Sequence, residues 1–121
     1  MYRITEDLDL EDLVGASIKE ICLDRFNLRI HFECGITFNI EGNVSIVAGG
    51  SIVSTWNQAD NWSTVEFQRL FSFPVSHYSV PHDRLLEIEF SNQMILRLHD
   101  ESDQYESFLI TRKDSDEIIV V

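Results

Sequence analysis

The sequence predicts an α+β fold dominated by antiparallel β-sheet. Residues 28–40 alternate apolar and polar side chains on both sides of Gly35, which is the pattern of a half-buried β-hairpin. The same alternation returns over residues 86–98. The chain has 121 residues, enough for one domain whose core needs neither a disulfide nor a metal. We therefore expect a single domain, residues 1–121, built on two similar hairpins.

The register of the first hairpin follows from its side chains. A two-residue turn at Cys34 and Gly35 would pair Phe32 with Thr37 and mix apolar and polar residues on each face. A three-residue loop over residues 33–35 makes one face wholly apolar and places Gly35 where the turn needs a left-handed residue. The expected pairs are Phe32 with Ile36, Ile30 with Phe38, and Leu28 with Ile40.

The second hairpin has the same pattern with one difference. Its loop covers residues 91–93, and Gln93 stands where the first hairpin has Gly35. A left-handed conformation there costs roughly 1–2 kcal/mol for a residue with a side chain. The expected pairs are Phe90 with Met94, Ile88 with Leu96, and Leu86 with Leu98.

Short helices are expected before each hairpin unit. Residues 7–14 begin with acids, carry leucines and end at Gly15, which suits the helix dipole and the preference for glycine after a helix. Residues 64–71 follow a Ser–x–x–Glu capping spacing at Ser63 and Glu66. Strands are expected over residues 17–23, and a last hairpin over residues 105–121.

The predicted elements form an internal repeat. Both halves have the order helix, strand, hairpin, and their apolar positions align at an offset of 57, lengthening to 58 at the hairpins. The aligned positions are Leu10, Leu13, Val14 and Ile18 with Phe67, Leu70, Phe71 and Val75. We expect pseudo-repeats at about residues 7–47 and 64–121, with a polar junction at residues 54–62.

The formal net charge is −12, from 21 acids and 9 bases. This charge disfavours nucleic acid, whose phosphates would be repelled, and it disfavours anionic membranes. It favours solubility and electrostatic steering toward a basic partner. No apolar run approaches the roughly 18 residues of a membrane helix, and the first residues lack the apolar segment of a signal peptide. The expected location is the cytoplasm.

The sequence carries no motif that predicts catalysis or a cofactor. Cys22 and Cys34 are expected to be reduced thiols, and the four histidines lack a zinc-site spacing. There is no nucleophile elbow and no phosphate-binding glycine loop. We therefore expect no enzyme activity, no metal and no cofactor, although Glu87 and Glu89 on one strand face leave acid–base chemistry as an alternative.

Two features are typical of a binding surface. Aromatic and acidic residues stand in the junction, and a second group of acids follows Leu98. The expected partner-binding residues are Trp56, Asp60, Trp62, Asp100, Glu101, Asp103 and Glu106. Tryptophan is enriched among interface anchors, but both tryptophans could instead fill the seam between the halves, and the acids could be a solvated loop.

The chain resembles a bacterial family of small acidic proteins with a helix, a glycine, a strand and an alternating hairpin, repeated once. The residues that carry the resemblance are Leu28-x-Ile30-x-Phe32 with Gly35, Leu86-x-Ile88-x-Phe90, and Tyr105-Glu106-Ser107-Phe108. Such proteins are often encoded beside polymorphic or contact-dependent toxins as immunity proteins. The resemblance implies a cytosolic inhibitor of one toxin domain, a basic nuclease by the charge argument. A small hydrolase, or a stand-alone interaction module, is the alternative.

Overall fold

The computed structural model describes residues 3–5, 7–24, 27–57, 66–100, 107–113 and 118–121. Within them the chain is mostly strand. The strands are β1 (Ile18–Leu23), β2 (Leu28–Phe32), β3 (Ile36–Ile40), β4 (Val44–Ala48), β5 (Ser51–Trp56), β6 (Val75–His82), β7 (Leu85–Phe90), β8 (Ile95–His99), β9 (Phe108–Arg112) and β10 (Ile118–Val120). They form two antiparallel five-stranded sheets, and the expected dominance of antiparallel sheet is confirmed.

Each sheet combines a three-stranded meander with a hairpin from elsewhere in the chain. The first sheet has the order β1-β2-β3-β9-β10, and the second has the order β5-β4-β8-β7-β6. The chain therefore leaves the first sheet after β3, completes the second with β4 to β8, and returns for β9 and β10. Because β3 pairs with β9 and β8 pairs with β4, neither sheet is complete until the whole chain has been placed.

Both predicted hairpin registers are confirmed. Ile30 lies opposite Phe38 and Leu28 opposite Ile40 in the first hairpin. Leu86 lies opposite Leu98 and Ile88 opposite Leu96 in the second. Gly35 has φ +97°, and Gln93 has φ +71°, so both third loop positions adopt the left-handed conformation.

The first expected helix is shorter than predicted, and both expected helices are of the 3-10 type. Residues 7–14 form only a 3-10 turn, Glu11–Leu13, and the second helix is a 3-10 segment, Glu66–Ser72. In the first case the backbone N–H of Leu10 donates to the Tyr78 hydroxyl and that of Glu11 donates to the Asp9 carboxylate. Side chains satisfy these donors, and a helical segment this short cannot repay the cost of nucleating an α-helix.

The two sheets share one hydrophobic core. The inward side chains of β2, β3 and β9 and those of β4, β7 and β8 belong to one cluster of buried residues, as expected for two packed sheets. Trp56 and five phenylalanines are among its members, with leucines 10 and 13 from the first 3-10 turn. In the part of the chain that the structure describes, no helix has the length and apolar composition needed to cross a membrane.

Candidate functional site

Of the acids after Leu98 that were expected to bind a partner, the structure describes Asp100. Asp100 is fully buried, with its carboxylate accepting hydrogen bonds from Arg3 (3.3 Å) and the Ser107 hydroxyl (3.0 Å). Arg84 donates to the Asp100 carbonyl oxygen at 3.3 Å. Asp100 therefore ties together three separate segments of the free protein instead of facing solvent. Glu101, Asp103 and Glu106 lie outside the described residues.

Trp56, the described member of the two tryptophans expected to bind a partner, is also buried. Trp56 ends β5 and is only 1% exposed, so it belongs to the core rather than to an accessible surface. Its indole Nε1 finds no hydrogen-bond partner among the described residues. This placement agrees with the alternative that tryptophan fills the interior between the halves. Asp60 and Trp62 lie outside the described residues.

An acidic recess that the sequence did not single out lies beside the first 3-10 turn. Its volume is about 670 Å³, and four carboxylates line it together with one guanidinium. The lining residues that carry charge are Asp7, Asp9, Glu11, Asp12 and Arg112. The four acids are exposed, so the recess presents excess negative charge to solvent. Hereafter the recess lined by these four acids and Arg112 is called the acidic recess.

Two contacts hold the acidic recess in shape. Arg112, at the end of β9, donates from Nε and Nη2 to the two carboxylate oxygens of Asp12, each at 3.2 Å, and Nη2 also donates to the Asp9 carbonyl. Hydrogen bonding and charge from Arg112 lower the pKa of Asp12 below the usual 3.8. From the other sheet, the Tyr78 hydroxyl lies 3.0 Å from the Leu10 nitrogen and 3.4 Å from a Glu11 carboxylate oxygen. The acids are thus carried on a segment fastened to both sheets.

A second polar cluster lies on the outward face of the first sheet. Glu20 and Cys22 on β1 and His31 on β2 bring a carboxylate oxygen, a sulfur and an imidazole nitrogen within 4.8 Å of one another. These three residues are the group in the described part of the chain whose donor atoms could share a metal ion. Cys34 is separate from it, exposed in the hairpin loop where the sequence placed it.

Two polar pairs of a kind that can serve catalysis are engaged in contacts between neighbouring strands. Glu87 accepts a 2.6 Å hydrogen bond from Arg97 on the neighbouring strand. The Ser45 hydroxyl lies 3.1 Å from Nε2 of His99, but Ser45 is only 5% exposed. A serine and a histidine at this distance resemble a nucleophile and its base, yet a hydroxyl buried in this way is poorly placed to meet a substrate. The hydrogen bond connects β4 with β8.

Sequence reasoning missed both surface clusters for identifiable reasons. The acids of residues 7–12 equally suit the first turn of a helix, and their closeness to Arg112 depends on β9 pairing with β3. The second cluster depends on a bulge in β1: Ile18 faces Phe32, but Glu20 faces His31. Alternation within β1 places Glu20 and Cys22 on one face, a signal present in the sequence. Comparison of the chain with protein-family models, curated proteins and solved structures finds no match.

Proposed function

We propose that this protein is an immunity-type inhibitor: a cytosolic binding protein that neutralises a bacterial toxin domain by docking on its basic cleft. The resemblance to small acidic immunity proteins motivates the proposal. The acidic recess is the observation that supports it most directly. A concave surface with four exposed carboxylates and one guanidinium suits lysine and arginine side chains of a partner.

The charge distribution supports a docking step of this kind. With a formal charge of −12, the protein would attract a basic partner over a range set by the ionic strength. Complementary charge speeds encounter, while contacts at the centre of the interface slow dissociation. A nuclease toxin whose cleft is basic for its own substrate would be blocked by the same carboxylates.

Within the acidic recess the acids have different roles. Asp12 is already paired with Arg112 at 3.2 Å, so it shapes the recess and is less available to a partner. Asp7, Asp9 and Glu11 are exposed like Asp12, but their carboxylates are not paired with Arg112, and we assign them to the partner. The catalytic alternative is less well supported, because Glu87 is held by Arg97 and Ser45 is almost inaccessible.

The decisive experiment is to identify a toxin domain encoded beside this protein and to test for protection from it; a neighbourhood without such a domain would count against the function. Co-expression of the two is expected to restore growth, and replacing Asp7, Asp9 and Glu11 by Lys is expected to abolish most of that protection. The matched control makes three acid-to-Lys changes at exposed Glu33, Glu41 and Asp83, outside the recess. Equal protection by both variants would exclude the acidic recess. No protection by the wild-type protein, with the toxin shown to be active, would exclude the function.

The sequence-predicted acids need a test of their own. Glu101→Lys with Asp103→Lys is the informative variant, whereas Asp100 is unsuitable because its buried carboxylate holds Arg3 and Ser107. If the Glu101 and Asp103 variant loses protection while the acidic recess variant keeps it, the toxin binds at the loop after β8.

We further propose that the two meanders descend from one repeated unit. Each begins with a 3-10 segment, continues through one edge strand, and ends in a hairpin with a three-residue loop. Each is then followed by a hairpin that joins the opposite sheet. The alignment of apolar positions in the sequence supports the same relationship.

A further inference from the structure

The geometry points to a metal-binding site, specific for a zinc-like divalent ion, formed by Glu20, Cys22 and His31 on the outward face of the first sheet. Thiolate sulfur, imidazole nitrogen and carboxylate oxygen are the three donors that zinc uses in proteins. Hard ions such as magnesium and calcium prefer oxygen donors alone. This site is independent of the proposed toxin partner and lies on different residues from the acidic recess.

The donor distances are close to those a single ion requires. Zinc bonds of about 2.0–2.3 Å place tetrahedral ligand atoms roughly 3.3–3.7 Å apart. The Cys22 sulfur lies 3.2 Å from Glu20 Oε1, and His31 Nε2 lies 3.9 Å from that same oxygen. All three atoms fall within 4.8 Å. Side-chain rotations that shift the donor atoms by about 1 Å would bring all three onto one ion.

The backbone holds the three residues in place. Glu20 and Cys22 are two apart on β1 and share its outward face, and the bulge in β1 sets Glu20 directly opposite His31 on β2. Bulges commonly redirect a side chain at functional positions. The site therefore rests on two paired strands rather than on a loop, which favours a fixed donor geometry.

A second contact orients the histidine. His31 Nδ1 lies 2.9 Å from the Thr37 hydroxyl on β3. When Nδ1 carries the proton it donates to Thr37, which leaves the lone pair of Nε2 directed toward Glu20. Histidine ligands usually have an outer partner of this kind, which selects the tautomer. Thr37 is thus a positioning residue for the site.

The charge of the donors and their access to solvent suit a divalent ion, with the Arg29 guanidinium beside Cys22 as an opposing charge. Without metal, the Cys22 thiol donates to the Glu20 carboxylate oxygen at 3.2 Å, so a proton lies between sulfur and carboxylate. A bound ion would take that position, and the thiol proton would pass to solvent. The thiolate and the carboxylate then balance a charge of +2. The Glu20 side chain is 63% exposed and that of His31 is 33% exposed, so an ion can reach the donors from solvent.

The test is a cobalt titration of the full chain followed by absorption spectroscopy, with zinc competition. Cobalt(II) replaces zinc in sites of this type and gives a sulfur-to-metal charge-transfer band only when a thiolate is bound. Because the chain has two cysteines, the Cys34→Ser variant isolates Cys22. We expect this variant to bind one cobalt ion with the band, and zinc to displace it.

Variants of Cys22, His31 and Thr37 distinguish cobalt binding at this site from nonspecific binding. Cys22→Ser is expected to eliminate the band, and His31→Gln to weaken cobalt binding by more than Thr37→Val does. Thr37→Val is expected to weaken it about tenfold, as for other outer partners of metal-bound histidine. Circular dichroism of each variant shows whether the fold is retained.

Two results would overturn the site, and a third would remove His31 from it. A band that survives Cys22→Ser and disappears in Cys34→Ser would assign the metal to the hairpin loop and overturn the site. The absence of a band in the folded Cys34→Ser variant under excess cobalt would overturn it as well. Equal affinity of the His31→Gln variant and its parent would remove His31 from the site.

Discussion

The same loop position in two hairpins is occupied by a glycine in one and a glutamine in the other. Gly35 and Gln93 both have positive φ, +97° and +71°. Gly35 adopts this conformation without a steric penalty, whereas the Cβ of Gln93 comes close to the following carbonyl. The second loop nevertheless closes, since the Gln93 N–H donates to the Phe90 carbonyl at 2.9 Å and the flanking strands keep their register.

Gln93→Gly is therefore expected to stabilise the protein. Removing the left-handed strain, less the entropy that glycine adds to the unfolded chain, should raise the free energy of unfolding by about 1 kcal/mol. Urea denaturation measures the change.

The matched control is Gly35→Gln, which is expected to lower stability. A Cβ at position 35 would lie 3.2 Å from the Lys113 Cβ in addition to requiring φ +97°. If Gln93→Gly lowers the unfolding free energy while Gly35→Gln leaves it unchanged, the second loop carries no such strain.

The lowered pKa of Asp12 predicts how the stability of the protein depends on pH. Its folded-state pKa lies below the usual 3.8 because Arg112 donates to it. A lowered folded-state pKa contributes stability above the unfolded pKa, and this contribution is lost as the pH falls through the lower folded value. Asp12 is largely exposed, so solvent screens much of the effect.

Arg112→Gln should raise the pKa of Asp12 by removing the hydrogen bonds and charge of Arg112, and it should weaken the acid dependence of stability that this pair causes. Carbon-detected NMR titration of the Asp12 carboxyl measures the first effect directly. Arg97→Gln is the control, because Arg97 pairs with Glu87 on the other sheet. An Asp12 pKa that stays low in the Arg112 variant would show that another group holds it down.

At the scale of elements, the informative feature is the pair of crossovers between the sheets. The chain passes from β3 to β4 at Gly42 and returns from β8 toward β9 at Asp100 and Ser107. The two crossovers touch: the Gly42 N–H donates to the Ser107 carbonyl at 2.8 Å, and a Cβ at Gly42 would lie 3.2 Å from the Ser107 Cβ. The Asp100 carboxylate fastens this crossing to the N-terminal segment through Arg3.

Asp100→Ala is expected to lower the free energy of unfolding by about 2–4 kcal/mol, because the buried Ser107 hydroxyl and the Arg3 guanidinium each lose the hydrogen bond to this carboxylate. Asp100→Asn should lose less, since the amide oxygen still accepts from one of them. Thermal and urea unfolding measure both changes.

Asp83→Asn is the control for this prediction, as Asp83 is exposed and a surface change is expected to stay within about 0.5 kcal/mol. A mild effect of Asp100→Ala, equal to that of the control, would mean that the carboxylate contributes nothing to the crossing.

At the scale of the whole molecule, charge works against the fold. The excess of 21 acids over 9 bases makes the compact state repel itself, which lowers stability at low ionic strength. Added salt screens this repulsion over a Debye length of about 10 Å at 0.1 M. Four of the acids are gathered around the acidic recess, so part of the repulsion is local.

We therefore expect the melting temperature to rise with sodium chloride at low concentrations. The variant with Asp7, Asp9 and Glu11 replaced by Lys brings the formal charge to about −6 by the two-unit change at each position. Its melting temperature should depend less on salt. An identical salt dependence in the two proteins would place the dominant repulsion outside the acidic recess.

Local features of the fold could be predicted from the sequence. The two hairpin registers follow from alternation with a period of two residues and from the turn, because a slip of one residue exposes a whole apolar face. The charge and the exposed loop position of Cys34 also follow from the residues alone. The helices were overestimated, since acids, leucines and a terminal glycine are equally compatible with a 3-10 turn backed by Tyr78.

Only the tertiary structure decided which strands meet across the chain, because such pairings depend on the summed packing of distant segments rather than on a local pattern. The pairing of β3 with β9 brings Arg112 to Asp12, and the crossing beside β8 buries Asp100. Trp56 joins the core in the same way. Asp100, expected at the surface, is therefore buried, whereas the acids of the first turn and the Glu20, Cys22 and His31 cluster lie on outward faces of the protein.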